Sequence, residues 1–283
     1  MKRLVFFSAL IVASSAFAQK PSMEELAIPS HGSRMNGFVY LAAGPGPHPV
    51  VVFLHGYPGN EKNLDLAQAV RRAGFDALYF DYRGTWGSGG TFSFAHGLED
   101  GQTVLAWVRA NAAKYHFDTR RIAIVGHSFG GWVTLLTAPH EPPNVCVVAM
   151  AAWNIGWGGQ RFPQHADERK ASLDYFTYTT AAGGPVHAVA ADLLNEMASH
   201  TEWDYLKLGR PLAEHPLLLV AATHDSPDED VARHEQLERA VRAAGGKHVS
   251  LLKYDDDHPF SAHRLELANA LVHWLQSECA NAR

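Results

Sequence analysis

Short, wholly apolar runs recur along this chain, each set off from the next by a helix-length segment. VVVFL (50–54), IAIV (122–125), VCVVAM (145–150) and LLLVAA (217–222) carry no polar residue that could face water. A strand that is apolar on both faces must be covered on both faces. A chain that runs strand, helix, strand supplies that cover by laying helices over a mostly parallel sheet. The intervening segments fit. NLDLAQAVRRAGF (63–75), HGLEDGQTVLAWVRANA (96–112), EDVARHEQLERAVRAAG (229–245) and SAHRLELANALVHWLQSECA (261–280) have the apolar spacing of amphipathic helices. MNGFVYLAA (35–43) and PHPVVVFLHG (47–56) read as two strands joined by a tight GPGPHP link, which predicts a hairpin between them. The segment from about Trp153 to Arg210 breaks the rhythm. It has no clear strand, is dense in aromatics, and falls between two core strands, so it reads as an insertion on the sheet.

Chemistry on an open parallel sheet collects at the carboxyl ends of its strands. After VVVFL comes His55-Gly56-Tyr57-Pro58-Gly59, and after IAIV comes Gly126-His127-Ser128-Phe129-Gly130-Gly131. After LLLVAA comes Thr223-His224-Asp225, and after VSLLKY comes Asp255-Asp256-Asp257-His258. A serine hydroxyl is a poor nucleophile until a base takes its proton. A neutral imidazole does so near neutrality, and a carboxylate fixes the imidazole's tautomer and stabilises the cation formed. Ser128, Asp225 and His258 stand in the chain order of a nucleophile-elbow triad, with small residues at Gly126 and Gly130 relieving the sharp turn. The Phe129 amide and an amide of the early loop, that of Tyr57, are the candidate oxyanion donors.

These motifs resemble those of the α/β-hydrolase family over about Met35 to Leu275. HGYPG is similar to the family's HGxPG oxyanion loop, and FDYRGTWGSGG (80–90) to its DxRGxGxS segment. GHSFGG is similar to the elbow, and VAATHD and DDDH to the acid and histidine contexts. The resemblance implies an α/β-hydrolase fold: a mostly parallel eight-stranded sheet, helices on both faces, a lid inserted after strand six, and hydrolysis without a cofactor or metal. The Trp153–Arg210 insertion falls at the lid's place. Trp86 stands where many relatives have a small or polar residue, which leaves the shape of the pocket mouth open.

Other residues take blander readings. His263 reads as a surface residue of the last helix, His127 as structural, and His55 as ordering its loop by hydrogen bonds. Arg83 reads as pairing with a nearby carboxylate. Asp228 and Asp230 read as helix-start acids, Asp255, Asp256 and Asp257 as a solvated turn whose crowding raises their pKa values, and Asp204 as a less favoured alternative acid. Trp153, Trp157 and Phe176 are candidates for the substrate pocket, against the alternative that they form the insertion's own core. Seventeen histidines invite a metal reading, but His234-Glu235 lacks a histidine at the spacing a metallohydrolase helix needs.

Residues 1–18 read as a secretory signal peptide. Lys2 and Arg3 precede a short apolar run, and Ala16-Phe17-Ala18 suits cleavage before Gln19. The expected mature chain, 19–283, is a single domain, secreted or periplasmic, with no membrane anchor after cleavage. Its charge falls from the formal −5 of the whole chain to about −7, because two positive charges leave with the leader. With no basic run, nucleic acid is not an expected partner. Cys146, in an apolar strand, and Cys279, near the end of the chain, are expected to be two free thiols. The expected reaction is cleavage of a carboxylic ester of modest size. The alternatives are a short peptide as substrate, or a non-catalytic binding protein on the same fold. A peptidase trimming free N-termini would need a carboxylate pair for the amine, with Glu168, Asp174, Glu196 and Glu202 as candidates.

Overall fold

Eight strands form one sheet in the order β1-β2-β4-β3-β5-β6-β7-β8 in a computed structural model that describes residues 20–225 and 230–281. The strands are β1 (Ser22–Ser30), β2 (Ser33–Leu41), β3 (His48–Leu54), β4 (Asp76–Phe80), β5 (Phe117–His127), β6 (Cys146–Met150), β7 (Leu217–Ala222) and β8 (Val249–Tyr254). Only β2 runs against its neighbours; β3 to β8 pair in parallel. This is the α/β-hydrolase sheet. The proposed signal peptide and Asp228 lie outside the described residues. Among those residues no helix is long and apolar enough to cross a membrane.

The helices are α1 (Leu64–Arg72), α2 (Phe94–Ala110), α3 (Ala112–Tyr115), α4 (Phe129–Thr137), α5 (Ile155–Arg161), α6 (Ala166–Thr179), α7 (Ala190–Ser199), α8 (Gly209–Leu212), α9 (Asp230–Ala243), α10 (Arg264–Gln276) and α11 (Glu278–Asn281). Alternate residues of a strand point to opposite faces, and β3 divides accordingly. Val50, Val52 and Leu54 join the buried cluster that holds residues of α2, α4 and α9, while Val51 and Phe53 join the one that holds residues of α1 and α10. Both faces are therefore buried, as the unbroken apolar runs require.

Two expectations fail here. β2 does not form a hairpin with β3. It pairs with β1 through the two-residue turn His31-Gly32, both residues at positive φ (46° and 79°), and on its other side with β4. Such a turn matches the twist of paired strands, whereas the longer GPGPHP link only carries the chain across the sheet. The cysteines are not free thiols either. Cys146, opening β6, and Cys279, in α11, form a disulfide with Cα atoms 5.8 Å apart. α10 packs along the sheet face that Cys146 helps to build, and this returns the end of the chain to that strand. A separation of 133 residues gave no hint of the contact.

The segment between β6 and β7 contains α5 to α8 and is tied back to the stretch after β4. The Trp86 amide donates to Pro185 O (3.0 Å), His187 N to Gly84 O (2.7 Å) and Phe92 N to His187 O (2.9 Å). Glu196 of α7 accepts from the Phe94 and Ala95 amides (2.8 and 2.9 Å) at the start of α2.

Candidate active site

β5 turns into α4 at Ser128, whose φ of 58° and ψ of −119° are costly for any residue with a side chain. The surrounding contacts enforce them. Ser128 N donates to Met150 O (2.9 Å), and Ser128 O accepts from the amides of Trp132 (3.1 Å) and Trp153 (3.0 Å). The turn closes only because its neighbours lack side chains: a Cβ on Gly126 would lie 2.0 Å from Gly130 O, and one on Gly130 would lie 2.0 Å from Leu54 O. The early loop crosses directly above, with the position of a Gly56 Cβ only 3.0 Å from Ser128 Cβ.

Asp225 and His258 follow β7 and β8, which are adjacent. The pairing continues past the strands, Thr223 N to Tyr254 O and His224 N to Asp256 O (both 2.9 Å). This brings the carboxylate to the imidazole, with His258 Nδ1 2.6 Å from Asp225 Oδ2. A carboxylate accepts, so Nδ1 carries the proton and Nε2 is left for a substrate-side partner. Ser128, Asp225 and His258 line one cavity of about 560 Å³.

Two further histidines hold this machinery, and both stay neutral. His127, inside the elbow, donates from Nε2 to the His258 carbonyl (2.9 Å) with the two rings 4.6 Å apart. Burial, reinforced by the neighbouring His258, pushes its pKa down to about 3. His55 donates from Nδ1 to Gly56 O (2.7 Å), and burial, opposed by Asp81, lowers it to about 4. N–H and C=O point opposite ways across a trans peptide, so fixing the Gly56 carbonyl also fixes the Tyr57 N–H. Among the described residues neither the Tyr57 nor the Phe129 amide donates to a protein acceptor. Tyr57's ring packs on Phe92, Phe176 and Trp153, and its hydroxyl meets Thr179 Oγ1.

Asp256 departs from the expected solvated turn. It is buried and accepts from the amides of Asp257, Ala262 and His263 and from His263 Nδ1 (2.9 Å). Burial raises its pKa, but the His263 bond and these amides outweigh that and hold the carboxyl at about 2. Asp256 thus braces the loop that carries His258. His263 is part of that brace, half-buried before α10 instead of lying on the helix surface. Asp230 opens α9, as read from the sequence, and is buried there: it accepts from Ala222 N (3.0 Å) and pairs with His234 (2.8 Å). Asp204 is engaged elsewhere, by Asn154 Nδ2 (2.7 Å) and the Leu206 amide. Arg83 pairs as expected, with Asp100 (2.6 Å) and Glu99 (2.5 Å).

Trp153 and Trp157 line the cavity, but Phe176 does not; it is fully buried among Tyr57, Phe94 and Trp153. It faces the interior side of α6, while Tyr175, one residue earlier among the same insertion's aromatics, reaches the cavity and donates to Tyr57 O (3.3 Å). Arg161 and Arg233 were not legible in the sequence. Their guanidinium carbons lie 4.5 and 4.8 Å from the Trp157 ring centroid, in the cavity wall. Arg161 lies in α5 and Arg233 in α9, and no local pattern in either helix records that both side chains meet the Trp157 ring. Trp86 is not in the cavity wall. Its indole turns to the outer side of the His55–Gly59 loop.

The four acids of the insertion do not converge. Glu168 is bound by Arg161 (2.9 and 2.5 Å), Asp174 by Lys170 (2.5 Å), Glu202 by His200 (2.5 Å), and Glu196 by the α2 amides. Among the described residues no group of acids, histidines or cysteines has the arrangement of a metal site.

Residues 31–244 match the family model of the X-Pro dipeptidyl-peptidase (S15 family). An uncharacterised protein of Mycobacterium tuberculosis is 28% identical over 177 residues, 62% of each chain. The chain therefore matches under two thirds of that relative's length. A lysophosphatidylserine lipase of Rattus norvegicus is 28% identical over 116 residues, 38% of this chain and 28% of that one. Among solved structures, Est1E of Butyrivibrio proteoclasticus with ferulic acid bound superposes with a TM-score of 0.65 at 15% identity, covering 90% of this chain and 99% of that one. A Rhizomucor miehei esterase gives 0.64 at 17% identity, covering 94% and 86%. At such identities these two likenesses speak to the fold alone.

Proposed function

We propose that this chain, which belongs to the X-Pro dipeptidyl-peptidase (S15) family and is a hydrolase of the α/β-hydrolase fold, cleaves carboxylic esters through Ser128, His258 and Asp225. Ser128 Oγ attacks the acyl carbon while His258 Nε2 takes its proton, and the resulting oxyanion is held by the Tyr57 and Phe129 amides. Collapse expels the alcohol, which receives the proton from His258. Water then attacks the acyl-enzyme by the same route, and the acid leaves. Asp225 keeps Nδ1 protonated and stabilises the imidazolium. The observation that carries this reading is the convergence on one cavity of a serine held at φ 58° with an imidazole bound to a carboxylate at 2.6 Å.

The choice of ester over peptide rests on the cavity wall. A free peptide N-terminus needs an uncommitted carboxylate. Each acid lining the cavity among the described residues already has a partner: Glu168 has Arg161, Asp225 has His258, and Asp230 has His234. The family match favours the peptidase alternative, so substrates must decide. A panel of nitrophenyl esters beside X-prolyl nitroanilides is expected to show ester turnover well above amide turnover; comparable amide turnover reverses the choice. Ser128→Ala is expected to lose at least about 10³ in kcat. Retained activity in that variant would sink the triad assignment.

We also propose export. The Cys146–Cys279 disulfide suits an oxidising compartment, and sequencing of the recovered protein should begin at Gln19. An intact Met1 in the mature protein would count against it.

A further inference from the structure

The loop between β3 and α1 has its three successive carbonyls held by three aromatic side chains. Gly56 O accepts from His55 Nδ1 (2.7 Å), Tyr57 O from the Tyr175 hydroxyl (3.3 Å), and Pro58 O from the indole Nε1 of Trp86 (2.7 Å). Only the Trp86 donor comes from the segment after β4, and it is the residue at which this chain departs from the pattern of its motif. Trp86 is itself fixed. It takes a left-handed backbone (φ 48°), its amide donates to Pro185 O (3.0 Å) in the insertion, and Lys62 Nζ sits 4.7 Å from its ring. The loop is clamped between rings. A Cβ on Gly59, itself at φ +99°, would lie 2.5 Å from His55 Nδ1 on one side and 2.6 Å from Trp86 Nε1 on the other.

We propose that Trp86 is a positioning residue for acyl transfer: by holding the Pro58 carbonyl it keeps the His55–Gly59 loop in the one conformation that presents the Tyr57 amide to the oxyanion. Gly56 and Gly59 flank Tyr57-Pro58 and give the loop rotational freedom, so the loop depends on outside contacts for its shape. Without the indole N–H, the Pro58 end is released while His55 still holds the Gly56 end. The Tyr57 amide is then loosened, not lost. Removing an oxyanion donor outright costs about 10² to 10³ in rate, so loosening one is expected to cost about tenfold. The cost falls on kcat, because the amide bears on the oxyanion and not on the bound ester. Since Trp86 lies outside the cavity wall, KM has no reason to move.

This inference rests on the acyl-transfer reading above, and the test separates the two. Trp86→Phe keeps an aromatic plate and loses the N–H; Trp86→His keeps a ring N–H and serves as the second variant. Both are assayed with a nitrophenyl ester and with phenylboronic acid, whose adduct on serine mimics the tetrahedral oxyanion. Trp86→Phe is expected to lower kcat and boronate affinity about tenfold each, with KM within twofold of wild type, and Trp86→His to recover part of both. Unchanged kcat and boronate affinity in Trp86→Phe overturn the proposal. So does a loss seen in KM alone. Should Trp86→Phe fail to fold, Trp86→His decides: wild-type KM with kcat and boronate affinity reduced in step supports the proposal, and any other pattern overturns it. Ser128→Ala in the same assay distinguishes the failures. Retained turnover there overturns the acyl-transfer reading itself; lost turnover beside an unaffected Trp86→Phe overturns only the role of Trp86.

Discussion

His127 must remain neutral to do its work. It is buried, it donates to the His258 carbonyl, and in the proposed mechanism a second positive charge beside the His258 imidazolium would oppose the reaction. Its pKa lies near 3 in the folded chain against an ordinary value of 6.5, so the unfolded chain binds the extra proton. Its contribution to stability is therefore complete above pH 6.5 and is lost progressively as the pH falls towards 3. His55, at about 4, adds a second such loss over a narrower window. Asp256 behaves in the carboxylate sense, its share vanishing as the pH falls from 3.8 to about 2. His127→Gln retains a donor for the His258 carbonyl without a titrating ring. Urea unfolding between pH 6.5 and 4.5 should show a shallower fall in stability for this variant, the difference corresponding to about one proton. Equal slopes would mean that His127 already carries its proton in the folded chain.

At the scale of the element, the insertion supplies a cavity wall and the strand ends supply Ser128, Asp225 and His258, the proposed triad. Trp157 lies in α5, flanked by Arg161 of the same helix and Arg233 of α9, so the wall joins two separate parts of the chain. Trp157→Ala opens the wall without touching the elbow. KM for aryl esters is expected to rise about tenfold, the effect of losing apolar contact with a substrate group, while kcat for acetate esters stays within a few-fold. A parallel collapse of kcat on the smallest esters would show instead that α5 holds Asp225 or His258 in place. The same logic explains why Trp157 and Phe176 looked alike beforehand. Both are aromatics of one insertion, but Phe176 turns inward on α6 to pack on Tyr57 and Phe94, and only Tyr175 beside it meets the cavity.

At the scale of the whole molecule, the disulfide is the one covalent tie between the middle of the sheet and the end of the chain. It closes a loop with a sequence separation of 133 residues. Cross-links of this kind typically contribute about 2–4 kcal/mol by restricting the unfolded chain. Cys279→Ser is expected to lower unfolding free energy by about that much. Because Cys279 lies outside the cavity wall, kcat should be unchanged. Equal stability of the variant and wild type in denaturant would mean that the bridge does not form in the native protein.

The sequence by itself determined the layered sheet, the insertion point and the ends of β3, β5, β7 and β8 at which Tyr57, Ser128, Asp225 and His258 stand. All of these follow from local pattern: apolar runs bury on both faces, glycines permit sharp turns, and strand ends in a parallel sheet share one edge. What only the tertiary structure decided depends on contacts between distant residues. It paired β2 with β1 instead of β3, joined Cys146 to Cys279, and buried Phe176 while leaving Trp157 at the cavity. It also bonded Asp256 to His263 and set Trp86 on the Pro58 carbonyl. Period and propensity report which face of an element is apolar; they carry no record of which remote residue will meet it there.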